Sequence, residues 1–136
     1  MNQNTLLSGI KVIEMSTYIA GPSSARILAD WGADVIKVEP PAGDAWRSIV
    51  KGLVSDDADP VFAEENANKR FACIDLKAPG GADVLKKLLS KVDIFITNVR
   101  PAGLEKAGLT YEEISKTKKS AKTEGTIVCN IVILME

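Results

Sequence analysis

The sequence predicts an α/β fold, a mainly parallel sheet flanked by helices. Three observations predict it. Short β-branched runs recur along the chain, apolar residues between them recur at helical spacing, and a strand, a helix and a second strand follow one another within about thirty residues. At 136 residues the chain fits one domain, and 46% apolar residues suffice for a core.

Each element has a local reason. "IKVIEMS" (10–16), behind Gly9, reads as a buried strand. "GPSSARILADWG" (21–32) reads as a helix, with Pro22 in its first turn, Ile27, Leu28 and Trp31 on one face, and Gly32 closing it. "ADVIKVE" (33–39) is a second strand, stopped by Pro40 and Pro41, and the unit so formed implies parallel strands with a right-handed crossover. Residues 40–68 read as a long irregular loop, the kind that carries function in compact domains. "RFACIDL" (70–76) reads as a third, buried strand. "PGGADVLKKLLSKV" (79–92) is an amphipathic helix with Val84, Leu85, Leu88 and Leu89 inward, and "DIFITNV" (93–99) is a fourth strand. Two short helices follow, 100–108 and 110–117, the second with Thr110 and Glu113 in capping-box spacing. "TIVCNIVILM" (126–135) is an apolar run that fits a fifth strand but has no helix after it to cover it.

Composition removes several function classes. The 17 basic and 18 acidic residues nearly cancel, so no overall field favours nucleic acid or a membrane. There is no histidine, which removes Ser-His and Cys-His pairs and most zinc sites. Cys73 and Cys129 form no CxxC pair and read as buried, reduced thiols. The N-terminus lacks the cationic and apolar regions of a signal peptide, and the apolar run near the end is too short to span a bilayer, so a cytoplasmic location is the default expectation.

Candidate chemistry lies at strand ends. The turn "YIAGPSSAR" (18–26) stands where a dinucleotide-binding Rossmann domain places its phosphate loop, and Glu39 where it places its ribose acid, yet G-x-G-x-x-G is absent. An ordinary helix N-terminus and an anion-binding one are equally open there. "VEPPAGDAWR" (38–47) reads equally well as a plain turn. Asp30, Asp34, Asp75 and Asp93 read as helix-end, strand-end or capping residues. "SDDAD" (55–59) lacks the glycine and terminal glutamate of a calcium loop and reads as solvated. Lys69 and Arg70 stand at the start of the third strand, which favours a structural or interface role. Lys77 stands at the end that open α/β sheets use for ligands. With Asn98 and Arg100 taken as the end of an adjacent strand, it makes a candidate phosphate site.

Together, "LSGIKVIEMSTYIAGPSSARILADWGADVIKVEPPAGDAWR" (7–47), "ENANKRFACIDLK" (65–77) and "DIFITNVRPAGLEKAGLTYEEI" (93–114) resemble, in order and spacing, the family III CoA-transferases. The "ENANKR" form looks most like the branch acting on 2-hydroxyacyl-CoA and enoyl-CoA thioesters in amino-acid fermentation. The resemblance implies a Rossmann-like CoA-binding domain and transfer of CoA from an acyl-CoA to a carboxylic acid. The attacking group in such a reaction is an aspartate, which forms an anhydride and then an aspartyl-CoA thioester. Carried over residue by residue, CoA contacts fall on Tyr18, Ile19, Pro40, Ile74, Lys77, Asn98, Val99, Arg100 and Lys106, with Lys77, Lys106 and Arg100 meeting phosphates. Some family members have arginine at the position of Pro40.

No residue here matches the family's nucleophile, and after residue 116 the family pattern is lost. The resemblance therefore implies an N-terminal portion, with residues 1–116 the CoA-binding part and 117–136 a divergent tail with room for one strand. No catalytic residue, metal or tightly bound cofactor is expected, and coenzyme A enters as substrate. Family members form interlocked homodimers, while this portion alone is expected to be inactive and to self-associate through exposed apolar sheet surface. A related acyl-CoA racemase and a non-catalytic binding module stay open as alternatives.

Overall fold

A computed structural model describes residues 5–49, 59–119 and 127–130 of the chain. Five strands form one sheet: β1 (Lys11–Met15), β2 (Asp34–Glu39), β3 (Arg70–Cys73), β4 (Ile94–Thr97) and β5 (Ile127–Asn130). Their order is β3-β2-β1-β4-β5 and every pairing is parallel. One row of partners, Arg70, Ile36, Ile13, Phe95 and Val128, crosses the whole sheet. The chain moves outward from β1 to β3 and then returns to the other side of β1. The order therefore reverses between β1 and β4, and such a reversal opens a crevice at the carboxyl ends of those two strands.

Helices cover both faces, because parallel strands need crossovers and the alternation of each strand directs half its side chains to either face. On one face α1 (Ala20–Asp30) covers Val12, Val35 and Ile96. On the other, α4 (Gly81–Leu89), α5 (Pro101–Ala107) and α6 (Tyr111–Lys119) enclose Ile13, Met15, Val38 and Phe95 with Leu85, Leu89, Leu104 and Ile114. Gly32, at φ 98°, ends α1 in a conformation that costs other residues energy.

Several expectations are corrected. The inward face of α1 is not Ile27 and Trp31, which are about half exposed, but the small residues Gly21, Pro22, Ala25 and Ala29. Small side chains bring the helix close to the sheet. Gly21 has no room for a Cβ, which would lie 2.3 Å from Ser16 Oγ. On α4, Leu85 and Leu89 point inward while Val84 is exposed. β3 is an edge strand, so Phe71 is half exposed, and Cys73, read as a buried thiol, is exposed. Cys129 lies on β5. The expected loop 40–68 contains α2 (Trp46–Ile49) and α3 (Pro60–Glu65), the latter capped by Asp59, whose Oδ1 accepts from Phe62 N at 2.9 Å. Residues 50–58 of that segment, most of "SDDAD" among them, lie outside the described residues.

The turn into α4 is tight. A Cβ on Gly81 would stand 1.9 Å from the Asp75 carbonyl oxygen, a backbone atom that cannot swing aside. Gly81→Ala is expected to lower the unfolding free energy by about 1–3 kcal/mol, the usual cost of forcing an extra carbon into a packed site. Urea denaturation checks this, and an unchanged midpoint would refute the close approach.

Candidate functional site

A cavity of about 280 Å³ opens at the carboxyl ends of the strands, on the face covered by α4 and α5. Three stretches form its walls. Met15, Ser16 and Thr17 come from the end of β1, Val38, Glu39 and Pro40 from the end of β2, and Ile74 to Lys77 follow β3. Val99, Gly103, Leu104 and Ala107 close it from the side of β4 and α5, and Asp44 reaches it from the loop after β2. The lining is largely apolar, with Lys77 the one cation in it among the described residues, as suits a site that grips an uncharged moiety and meets an anion at the rim.

Of the nine residues singled out in the sequence, Pro40, Ile74, Lys77 and Val99 line this cavity. The others lie around it. Tyr18 and Ile19 form the turn into α1 and are 47% and 48% exposed. Arg100 stands immediately before α5 and is exposed, and Lys106 is exposed in the last turn of α5. Asn98 lies in the crevice between β4 and β1. There it accepts from Thr17 N at 3.1 Å and donates to Thr17 O at 2.8 Å, bridging the two strand ends. The expectation that Lys77 and Asn98 come from adjacent strands is corrected, because β2 and β1 lie between β3 and β4. Asp75 turns the chain toward Lys77 by accepting from Lys77 N.

The remaining acids have structural duties. Both oxygens of Glu39 are held by Arg47 at 2.9 Å, so the residue at the ribose-acid position of a dinucleotide fold is already paired. The Arg47 guanidinium also stacks 3.7 Å over the Phe62 ring, which joins α2 to α3. Asp34 pairs with Arg70, and Asp93 accepts from Lys11 N.

On the face packed by α1, meeting the cavity lining only at Ser16 and Asp44, lies a feature that sequence reasoning missed. Glu14 and Lys37 are direct neighbours on β1 and β2, and both are fully buried. Glu14 Oε1 accepts from Lys37 Nζ at 2.8 Å and from Ser16 Oγ at 2.5 Å, while Oε2 accepts from Lys69 Nζ at 2.9 Å. Lys37 also donates to Ser16 O and lies 2.9 Å from Asp44 Oδ2. Lys69 donates to Pro22 O, Glu65 O and Asn66 Oδ1 as well. Burial pushes the Lys69 amine below its usual lysine value, against the pull of Glu14 and helped by Lys37. The signal was present in the sequence: a glutamate and a lysine inside two otherwise apolar strands must be partnered if buried. Lys69, for which a structural or interface role was expected, stands just before β3 and is held within this network.

Among the described residues no helix is long and apolar enough to cross a membrane, and no cluster of His, Cys, Asp and Glu could hold a metal ion.

A family model described as CoA-transferase family III matches residues 7–120. (R)-2-Hydroxy-4-methylpentanoate CoA-transferase from Clostridioides difficile is 49% identical over 112 residues, covering 80% of this chain and 28% of that protein. Cinnamoyl-CoA:phenyllactate CoA-transferase from Clostridium sporogenes is 39% identical over 118 residues, covering 85% of this chain and 29% of that protein. A solved structure of a CAIB/BAIF family protein from Brucella suis matches with a TM-score of 0.77 at 36% identity, covering 85% of this chain and 31% of that one. The chain thus spans less than a third of the length of these relatives.

Proposed function

Because the chain belongs to CoA-transferase family III, we propose that its described residues form the CoA-holding part of an enzyme that moves CoA from an acyl-CoA to a carboxylic acid. The observation that carries the reading is the cavity at the carboxyl edge, where Pro40, Ile74, Lys77 and Val99 come together from three separate strand ends. Its apolar wall suits an uncharged portion of CoA, and Lys77 suits a phosphate at the rim. Arg100 and Lys106, both exposed, add positive charge beyond Val99.

The substrates named for the two relatives support a 2-hydroxy acid or an enoate as the acyl partner, and the same reading takes amino-acid fermentation as the setting. Both are CoA-transferases, which supports transfer over racemisation. In this reading the described residues bind and orient CoA for the covalent step that the resemblance implies. An exposed, unbridged Cys73 fits a reducing, cytoplasmic setting. Pairing of two copies belongs to the same reading, and light scattering showing only monomer at working concentration would count against it.

Titration calorimetry with coenzyme A tests the binding. The wild-type chain is expected to bind, and Lys77→Ala to weaken binding by about 1.5–3 kcal/mol, the range for a hydrogen bond to a charged group. Absence of heat from the wild type at millimolar coenzyme A would overturn the proposal.

A further inference from the structure

We propose that Asp44 is a positioning residue for the ligand site, a buried joint that holds two walls of the cavity in their receptive arrangement. The proposal rests on the reading of the cavity as a CoA site.

Asp44 is 2% exposed although it lies in a loop of otherwise accessible residues. Its Oδ1 accepts from Tyr18 N at 3.3 Å and from Trp46 N at 2.9 Å. Its Oδ2 faces Lys37 Nζ at 2.9 Å and has no hydrogen bond of its own. One carboxylate therefore links three elements, the turn after β1, the loop after β2 and the buried lysine of β2 itself. The turn needs such a restraint. Tyr18 has φ 65°, a left-handed conformation that a bulky residue adopts only when its surroundings impose it. Lys37 holds Ser16 O on one side of Tyr18, Asn98 holds both backbone groups of Thr17, and Lys69 holds Pro22 O beyond it. Of these restraints, that from Asp44 alone reaches the Tyr18 amide. Tyr18 and Trp46 also meet edge to face, with ring centroids 5.9 Å apart, so the same joint seats the aromatic pair.

With the joint intact the turn is preformed, and a ligand need not select it from a disordered population. If loss of the carboxylate reduces the receptive fraction to about a tenth, the apparent Kd rises about tenfold. The experiment combines amide hydrogen exchange by NMR on the ligand-free chain with calorimetric titration of coenzyme A. In the wild type, the Tyr18 amide is expected to exchange slowly despite its exposed side chain. In Asp44→Ala it is expected to exchange like an unstructured peptide, while amides of β1 and α4 keep their protection, and the Kd for coenzyme A rises about tenfold. Asp44→Asn, which keeps an acceptor but not the charge, is expected to restore much of the Tyr18 protection. Fast exchange of Tyr18 in the wild type would overturn the proposal even if Asp44→Ala does not fold. So would an unchanged Kd in a folded Asp44→Ala. Failure of the wild type to bind coenzyme A would remove the CoA reading, and the exchange data would still decide whether Asp44 holds the turn.

Discussion

Glu14→Gln is expected to unfold the protein under conditions in which the wild type is stable, lowering the unfolding free energy by about 3–5 kcal/mol. The glutamate is the single anion between two lysines. Lys37 Nζ approaches one oxygen and Lys69 Nζ the other, and the side chains of all three residues are fully buried. A glutamine of the same shape keeps one acceptor and turns an amide donor toward one of the ammonium groups. Lys37 then keeps Asp44 as its anion, while Lys69 keeps only the more distant attraction of Glu65. Because total stability of a small domain is about 5–15 kcal/mol, such a loss removes a large part of it. Chemical denaturation measures the change, and a destabilisation below about 1 kcal/mol, typical of exposed pairs, would mean that the network contributes no more than a surface salt bridge.

Lys69→Met is the second large effect, again about 3–5 kcal/mol at neutral pH, for a different reason. The three N–H groups of the ammonium are shared among four acceptors within 3.0 Å: Glu14 Oε2, Pro22 O, Glu65 O and Asn66 Oδ1. Methionine fills similar space and leaves all four without that donor. The effect also depends on pH. Burial lowers the pKa of Lys69 in the folded state relative to its unfolded value of 10.5. Between these two values the unfolded chain binds more protons at this site, so the contribution of Lys69 to stability rises with pH across that window. The gap between wild type and Lys69→Met should therefore widen as pH climbs toward 10.5. A gap that stays constant or narrows in paired denaturation curves would refute the lowered pKa.

The elements with strong local signals were readable in the sequence. β1, β2 and β4 follow β-branched runs, α4 follows a Leu85–Leu89 repeat, and α5 begins at Pro101, where proline suits a first turn. The family, too, was legible from motif order, and the family model bears it out. Long-range arrangement was harder to see. "RFAC" carries the same apolar signal whether its strand is central or at an edge, so the exposure of Phe71 and Cys73 and the distance of Lys77 from Asn98 depended on strand order. The face of α1 was misjudged because hydrophobicity ranks Ile27 and Trp31 above Ala25 and Ala29, whereas close approach to the sheet selects for size. The cavity opens at strand ends that the sequence singled out. The buried charge network was not foreseen, since charges inside apolar strands look like surface residues until their partners, 23 and 55 positions away, are known.

The opposed Glu14 and Lys37 have a consequence for how the chain finds its fold. If β1 paired with β2 one residue out of step, Glu14 would lie opposite Ile36 or Val38, and the side-chain faces of the two strands would no longer correspond. Neighbouring apolar residues tolerate such a slip, because Val12, Ile13, Val35 and Ile36 are nearly interchangeable in shape. An unpaired carboxylate in a dry layer does not. The pair thus works as a proofreading mark for strand alignment, penalising misregistered sheets far more than a wholly apolar interface would.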